Sequence, residues 1–296
     1  MIIIANPNAG RGRCLKVAEK VEAHLKAKNI PYEMVWTTKS GEATELARQA
    51  AERDGLVVAL GGDGTAREVA AGLLGTDAKL GVLAGGTGND YYHGLDMPKD
   101  PEAAVDVLLE GHVRMSDVGF ANETPFINVS ACGLDMDLYE ASIPIKKVFT
   151  GIVAYILALF VAVPKFRPHV CRVAYDDQPA KYYEADLVVM CISPYFGGGM
   201  KAGPNADPTD GELDLAVIHN YYRRHILFML PNFIKGRYDK IKKSVTVRSK
   251  KIVITSEVPL PFEVDGDIGP VCDAKNPVTV TIQHQALPVI APKPVA

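Results

Sequence analysis

Glycine, threonine and one aspartate follow an apolar run near residue 60. The run Leu56 to Leu60 leads directly into Gly61-Gly62-Asp63-Gly64-Thr65. Glycines let backbone N–H groups approach phosphate oxygens, and a helix that begins here adds a favourable partial charge. An acid beside phosphates requires a cation between them, so Asp63 predicts a magnesium–ATP complex in which it acts through the ion or its water shell. The alternative is a strand-to-helix turn that Asp63 caps.

Two further loops have the same character. The apolar run Leu80 to Ala84 ends in Gly85-Gly86-Thr87-Gly88-Asn89-Asp90, and the chain begins with Ile2 to Ala5 followed by Asn6-Pro7-Asn8-Ala9-Gly10-Arg11-Gly12-Arg13. Ligands of open α/β sheets bind where the carboxyl ends of the strands converge. We therefore expect the three loops to form one nucleotide site, with Arg11 and Arg13 as additional phosphate ligands on the basis of charge.

The elements that carry these loops alternate between strand and helix, as a parallel sheet requires. The predicted strands are Ile2–Ala5, Tyr32–Trp36, Leu56–Leu60 and Leu80–Ala84, and the predicted helices are Cys14–Lys28, Glu42–Arg53 and Pro101–Glu110. From Phe126 onward helices largely give way to β-type runs, such as Val170–Tyr175, Leu187–Ile192, Leu213–Ile218, Val245–Val247 and Ile252–Thr255. The pattern predicts an N-terminal Rossmann-like α/β domain and a C-terminal antiparallel β-sandwich domain.

The boundary between the two domains is predicted near residues 118 to 125. We place the nucleotide-binding domain at residues 1–120 and the β-rich domain at 121–282. The C-terminal run Val278 to Ile282 could belong to either domain, and residues 283–296 are the segment that could return to the first. The Pro-rich tail from Ala291 to Ala296 is predicted to be disordered.

Composition limits the classes of function. The chain has 296 residues, of which 48% are hydrophobic, and a net charge of −3, which predicts no general attraction to nucleic acid. Its five cysteines have no C-x-x-C spacing, which indicates reduced thiols without a disulfide framework or a zinc site. No basic, cleavable leader precedes the first strand, so we expect a cytoplasmic protein.

The uncharged segment Val148 to Val163 complicates this expectation. It lies between Lys146-Lys147 and Lys165 and contains Ile152, Tyr155, Ile156, Leu159, Phe160 and Val163. A transmembrane helix needs ~20 apolar residues, so the segment is too short to span a bilayer. The favoured interpretation is a helix packed in the core, and the alternative is contact with an acyl chain or a bilayer.

Two charged regions lie in the second half. Asp207, Asp210 and Glu212 occupy a loop whose oxygen donors suit magnesium, although Asx turns account for the same residues. The run from Lys235 to Lys251 is rich in lysine and arginine, with Asp239 as its single acid. This run is either a contact for an anionic membrane surface or a solvated hairpin face.

In their order along the chain, these loops resemble the diacylglycerol kinase catalytic family, which includes bacterial soluble lipid kinases, sphingosine kinases and ceramide kinases. The resemblance continues through later motifs, namely Asn128 to Gly133, Tyr195 to Met200, Pro204 to Ala206, Asp210 to Asp214 and Val264 to Asp267. Gly-Gly-Asp-Gly-Thr alone is shared with NAD kinases and phosphofructokinases, whereas the ordered set is specific. It covers nearly the whole chain.

The resemblance implies ATP-dependent transfer of the γ-phosphoryl group to a lipid hydroxyl, with Mg²⁺, by an enzyme peripherally associated with the membrane. It implies a nucleotide site that comprises Asn6, Pro7, Asn8, Ala9, Gly10, Thr37, Gly62, Asp63, Gly64, Thr65, Ala66, Arg67, Glu68, Thr87 and Asp90. It implies a structural magnesium loop at Asp207, Asp210 and Glu212, and it assigns the base that activates the lipid hydroxyl to the loop Asp265-Gly266-Asp267.

One position departs from the family pattern, which has Asp-Gly-Glu where this chain has Asp265-Gly266-Asp267. Asp267 is the favoured base by position, and Asp265 is the alternative. The departure also leaves open a non-catalytic nucleotide-binding regulator, and a kinase for a soluble acceptor such as NAD is the other competing interpretation. A homodimer is a further alternative, although no stripe of residues in the sequence indicates one.

Overall fold

The structure, a computed structural model, describes residues 1–145, 148–149, 151–221 and 223–293. Lys146 and Lys147, which were predicted to flank an apolar helix, lie outside the described residues, as do the side chains of Ile152 and Tyr155 on that helix. The chain forms two compact units, one of residues 1–116 with 285–296 and the other of residues 117–284. The division therefore falls close to the predicted one, and the last residues of the chain belong to the first unit.

Strands and helices alternate in the first unit. The strands are β1 (Ile2–Ala5), β2 (Glu33–Trp36), β3 (Leu56–Gly61) and β4 (Lys79–Ala84), and the helices are α1 (Arg13–Ala27), α2 (Glu42–Ala51), α3 (Asp63–Leu73), α4 (Asp90–Gly94) and α5 (Pro101–Glu110). The strands pair in parallel in the order β2-β1-β3-β4. The middle strands β1 and β3 are buried almost throughout, as expected for a parallel sheet covered on both faces.

The second unit consists mainly of antiparallel strands. Its first and last strands, β5 (Val113–Ala121) and β15 (Val278–Ile290), begin or end in the first unit. The other strands are β6 (Thr124–Phe126), β7 (Val129–Gly133), β8 (His169–Tyr175), β9 (Lys181–Cys191), β10 (Leu213–His219), β11 (Ser244–Ser249), β12 (Lys251–Ser256), β13 (Leu260–Val264) and β14 (Asp267–Cys272). The predicted fold class, an α/β domain followed by an antiparallel β-sandwich, is confirmed.

Strand β9 pairs with different neighbours along its length in the second unit. Its first half pairs with β8, and its second half pairs with both β7 and β10. Buried side chains from several of these strands form one apolar core, which includes Phe126, Met190, Ile254 and Phe262. Cys132 also lies there, and all five cysteines of the chain are buried and free.

Three helices in the second unit cover a separate apolar cluster. They are α6 (Leu134–Ile145), α7 (Gly151–Ala162) and α8 (Arg223–Ile234). The sequence predicted α7 but not α6 or α8, because short apolar runs fit a strand and a buried helix equally well. Ile226, Met229 and Phe233 of α8 are buried at helical spacing, which fixes the assignment.

Strand β15 begins in the second unit and ends in the first. It runs from Val278 to Ile290, and Val289 pairs with Leu80 of β4. Ala291 is buried and donates its backbone N–H to His112 O at 3.1 Å. The prediction of a disordered tail from residue 291 is therefore wrong for Ala291, whose backbone and side chain are held by the first unit, and residues 294–296 lie outside the described residues.

Candidate active site

The loops that follow β1, β3 and β4 meet at the carboxyl edge of the parallel sheet. A Cβ added at Gly10 would lie 2.4 Å from Gly85 O, and one added at Gly86 would lie 2.4 Å from the Cα of Gly62. Such contacts are far below the 3.0 Å that real Cβ atoms respect. Only glycine therefore lets these backbones approach one another, and Gly10 also has a φ of 58° that favours glycine.

Polar side chains join the first loop to the second. Asn6 Oδ1 accepts the backbone N–H of Asn8 at 3.0 Å, and Asn6 Nδ2 lies 3.4 Å from Thr65 Oγ1. Thr65 is buried, and a Cβ at Gly61 would lie 2.4 Å from its Oγ1. The arrangement leaves the backbone of Gly62 and Gly64 at the N-terminus of α3, the geometry that suits a phosphate group.

Asp63 connects the second loop to the third. Its Oδ1 accepts the backbone N–H of Tyr91 at 3.0 Å, and the backbone N–H groups of Asn89 and Asp90 also favour its carboxylate. Burial nevertheless raises the pKa of Asp63 above its usual range. The carboxylate thus caps α4, which is a different helix from the one that the sequence suggested, while it stays within the loop cluster.

The other predicted nucleotide residues have varied environments. Glu68 caps α2, because its Oε1 accepts the N–H of Gly41 at 2.9 Å and its Oε2 accepts the N–H of Ala43 at 3.1 Å. Thr37 is buried and donates its N–H to Ala5 O at 2.9 Å, whereas Thr87 is exposed. The rest lie in the loops themselves, in the first two turns of α3 or, for Asp90, at the start of α4: Pro7, Asn8, Ala9, Gly10, Gly62, Gly64, Ala66, Arg67 and Asp90.

A basic cavity adjoins the last residues of β4. It has a volume of about 280 Å³ and is lined by Arg13, Lys16 and Lys20 of α1, together with Lys99 and several neutral residues. Its described lining includes no acid. Arg13, a phosphate candidate from charge, therefore contributes to a cationic surface next to the glycine loops.

In the second unit, the turn between β13 and β14 carries the other predicted site. Asp265 is buried in this turn, and its carboxylate accepts three backbone N–H groups, from Ile127 at 2.7 Å, Asn128 at 3.0 Å and Val129 at 2.8 Å. Its own N–H donates to Val129 O at 3.0 Å. The Asp265 carboxylate thereby ties the turn to the start of β7.

Asp267 lies two residues further along and is half-buried. The half-buried Tyr139 of α6 is close enough for the charges of Asp267 and Glu263 to raise the pKa of its hydroxyl, although burial is the larger cause. Glu263 is itself buried, and its Oε1 accepts the backbone N–H of Gly266. Glu263 therefore shapes the turn that presents Asp267.

Glu263 and Asp135 also belong to this region, although neither was predicted from the sequence. Asp135 is buried at the start of α6 and lines a cavity of about 30 Å³ with an otherwise apolar wall, formed by Leu138, Ile156, Leu159, Leu187, Phe196, Met200, Leu230, Phe233 and Ile234. Alternation along β13 places Glu263 on the opposite face from the apolar Phe262 and Val264, where the sequence pattern predicts a solvent-facing acid. The burial of Glu263 and of Asp135 therefore had no signal in the sequence.

The predicted metal residues are not arranged as a metal site. The carboxylates of Asp210 and Glu212 pair with the Arg248 guanidinium of β11, the latter at 3.2 Å, and Asp214 accepts from Arg248 Nε at 3.3 Å. Asp207 Oδ1 instead accepts from the N–H and hydroxyl of Thr209. Across the described ranges, no group of three or more His, Cys, Asp or Glu side chains is placed to hold a metal. A guanidinium occupies the position that a cation would need, so these residues do not fit a magnesium ion.

The same loop is anchored by Asp117, which no sequence motif indicates. Asp117 is fully buried, its Oδ2 accepts the N–H of Gly211 at 2.6 Å, and its Oδ1 lies 2.8 Å from Nδ1 of His284. Asp117 and His284 are the first and last residues of the second unit. The pair joins the loop to the ends of the unit.

The chain matches known proteins along nearly all of its length. A family profile described as the diacylglycerol kinase catalytic domain matches residues 1–121, and one described as the YegS C-terminal NAD kinase beta sandwich-like domain matches residues 129–291. A diacylglycerol kinase from Staphylococcus epidermidis is 31% identical over 99% of this chain and 92% of its own. The chain belongs to the diacylglycerol kinase family. A second member, from Staphylococcus aureus, is 31% identical over 98% of this chain and 91% of its own.

Solved structures agree with this family assignment. A Bacillus anthracis protein assigned as a diacylglycerol kinase superposes with a TM-score of 0.82 at 26% identity, covering 100% of this chain and 98% of the other. An NAD kinase from Archaeoglobus fulgidus, solved in complex with ATP, gives a TM-score of 0.54 at 13% identity over 98% and 92% of the two chains. The second likeness is one of fold.

Proposed function

We propose that this family member is an ATP-dependent lipid kinase that transfers the γ-phosphoryl group to the hydroxyl of diacylglycerol or a related lipid. The observation that carries the nucleotide part is the approach of Gly10 to Gly85 and of Gly62 to Gly86, closer than any side chain allows. Such a cluster offers backbone N–H groups to phosphates. ATP is also the ligand in the complex of the Archaeoglobus fulgidus NAD kinase.

Magnesium is proposed to accompany the nucleotide. Asp63 and Asp90 are the first residues of α3 and α4 and stand within the glycine loops, so their carboxylates are the oxygen donors available there. They would hold the water shell of the ion, which supplies charge neutralisation for the transferred group when bound. Arg13 with Lys16, Lys20 and Lys99 adds positive charge beside the loops.

The acceptor base is proposed to be Asp267. Asp265 uses both carboxylate oxygens on backbone N–H groups, so we assign it the task of positioning the turn. A base must reach its hydroxyl to within ~2.6–3.2 Å, directly or through one water, and the Asp267 side chain is shorter than that of glutamate by one methylene.

Radiolabelled ATP and diacylglycerol dispersed in detergent micelles test the proposal directly. Labelled phosphatidate that depends on both the lipid and magnesium is the expected product. Asp267→Asn serves as the matched control, because it should remove turnover while ATP binding stays near normal. ATP binding without phosphorylation of any lipid in an extract, with activity gained on Asp267→Glu, would instead identify a nucleotide-binding regulator.

A kinase for a soluble acceptor is the second candidate, because NAD kinases share the fold. The likeness to the Archaeoglobus fulgidus enzyme stands at 13% identity, whereas the Staphylococcus epidermidis diacylglycerol kinase is 31% identical, which favours a lipid over a dinucleotide as the acceptor. Incubation with NAD and labelled ATP in parallel separates the two. A labelled product from NAD, with none from lipid, would reverse the assignment.

Peripheral contact with an anionic membrane surface is also proposed, because diacylglycerol resides in a bilayer. Exposed Lys240, Lys242, Lys250 and Lys251 supply charge from the predicted basic run, whereas Arg248 of that run is paired with acids. Within the described ranges, no helix is long and apolar enough to span a membrane. Vesicle binding should therefore weaken as salt rises, because screening limits such contacts to ~8 Å at ~0.15 M.

A further inference from the structure

Helices α7 and α8 expose apolar side chains where helices on a protein surface normally carry polar ones. Phe160 of α7 is 61% exposed and Phe228 of α8 is 80% exposed. Val153, Val161 and Leu227 are also exposed, as are Val148 and Phe149 just before α7. We call these seven residues the apolar helix surface.

The core does not account for this surface. Ala154, Ala158 and Leu159 of α7 are buried, and so are Ile226 and Met229 of α8. The inward faces of the two helices thus already supply the apolar cluster of the second unit. The exposed side chains lie on the opposite faces, so packing within the chain leaves them to solvent.

The two helices present their outer faces together. Both contribute to one apolar cluster, and both line the cavity that contains Asp135, through Ile156 and Leu159 of α7 and Leu230 and Phe233 of α8. The strand residues of that cluster, such as Leu187, Val189 and Cys191, alternate along β9 and therefore lie on one face of the sheet, which both helices cover. Phe160 and Phe228 therefore face solvent on the same side of the second unit, and exposed apolar side chains grouped in this way mark an interaction site.

Charge identifies the partner. The sequence holds no acid from residue 141 to 175, a segment that contains Lys146, Lys147, Lys165, Arg167 and Arg172, and none from 215 to 238, which contains Arg223, Arg224, Lys235 and Arg237. Lys165 and Arg167 follow α7, Lys235 and Arg237 follow α8, and all four side chains are exposed. An apolar surface within cationic, acid-free segments matches the acyl boundary and the phosphate layer of an anionic bilayer.

We propose that the apolar helix surface docks the second unit onto an anionic phospholipid bilayer, with Phe160 and Phe228 inserted at the acyl boundary and the flanking lysines and arginines at the phosphates. The reason for such docking rests on the proposed lipid kinase function, whereas the exposed surface itself does not depend on that function. It differs from the Lys240 to Lys251 run, because its main contribution is burial of apolar area, which salt does not screen.

Insertion is tested by a tryptophan placed on the surface. The chain has a single tryptophan, Trp36, so Trp36→Phe gives a silent background for Phe228→Trp. On equimolar phosphatidylglycerol and phosphatidylcholine vesicles, the emission of this reporter should shift to the blue and be quenched by brominated acyl chains. Tyr182→Trp in the same background is the matched control at an exposed position on β9, and it should show neither effect. A Phe228→Trp reporter that stays unquenched on bound vesicles overturns the proposal.

The energetic contribution is tested by the double variant Phe160→Ser with Phe228→Ser. Its partition onto the same vesicles should fall by about tenfold or more, equivalent to at least about 1.4 kcal/mol, and the loss should persist at high salt. Val258→Ser, at an exposed apolar position outside the helices, should bind like the unaltered protein. Unchanged partition of the folded double variant overturns the proposal.

Two measurements distinguish docking on a bilayer from the proposed kinase activity and from dimerisation. Micelle-dispersed diacylglycerol needs no bilayer, so the double variant should retain kinase turnover there within about twofold, since neither phenylalanine belongs to the glycine loops or to the β13–β14 turn. Sedimentation would reveal a dimer that the double variant dissociates, and such a dimer with unchanged vesicle binding overturns the proposal in favour of a second copy of the chain. Absence of micelle activity in the unaltered protein would refute the proposed function, whereas the vesicle data bear on the surface alone.

Discussion

The two aspartates of the β13–β14 turn are expected to respond in opposite ways to the same substitution. In Asp265→Asn, the side chain keeps one acceptor oxygen for Asn128 and Val129, and its NH₂ group faces the N–H of Ile127, which lies 2.7 Å from Oδ2 in the unaltered protein. One bond to an ionised acceptor is lost, which costs about 1.5–3 kcal/mol, and a buried donor is left unsatisfied, which costs about 1–3 kcal/mol more.

We therefore expect Asp265→Asn to lower the free energy of unfolding by about 3–5 kcal/mol. For a unit of this size, each kcal/mol moves the Tm by about 2–4 °C, so the Tm should fall by about 6–20 °C. In Asp267→Asn, the Tm should stay within about 2 °C of the unaltered protein, and turnover should fall at least ~100-fold if Asp267 is the base.

Thermal unfolding followed by circular dichroism, together with phosphatidate formation measured below both melting temperatures, gives the two readouts. A Tm for Asp265→Asn within about 2 °C of the unaltered protein would refute the assignment of its carboxylate to the backbone of β7. Normal stability combined with lost turnover in that variant would make Asp265 the base. Full turnover in both variants would place the base outside this turn.

Three further perturbations test other parts of the structure. Asp63→Asn should reduce turnover at least ~100-fold while keeping an acceptor for the Tyr91 N–H, and near-normal turnover would restrict Asp63 to capping α4. Burial raises the pKa of the Asp186 carboxyl from 3.8 to about 6. The contribution of this side chain to the stability of the fold is therefore full below about pH 4. As pH rises through about 6, up to about 3 kcal/mol of that stability is lost. Asp186→Asn should therefore raise the Tm at about pH 7.5 and leave it unchanged at about pH 4, and an equal shift at both pH values would contradict this cause. Arg248→Met should lower the Tm, because it leaves the carboxylates of Asp210 and Glu212 unpaired, and the Tm of this variant should rise with added magnesium or calcium. The Tm of the unaltered protein should not change with either ion. A metal-dependent Tm in the unaltered protein would show that the Asp210 loop binds metal.

The sequence by itself determined the order of elements in the first unit. Strands such as Ile2–Ala5 are continuous apolar runs, and Pro101–Glu110 begins with proline after an aspartate cap, which are local signals. The glycine loops were also visible, because glycines clustered directly after an apolar strand are typical of a loop that binds phosphate. The position of Asp63 was therefore predictable, but the helix that it caps was not, since Tyr91 is distant from it in sequence.

Tertiary structure decided which acids are committed to the fold. Asp265 and Asp267 are identical in type and two residues apart, yet the first is tied to the backbone of a strand more than a hundred residues away. Arg248 reaches Asp210 and Glu212 only because β11 pairs with β10. The sequence shows that a side chain carries a charge, whereas the partner that neutralises it depends on long-range pairing, for which neighbouring residues carry no signal.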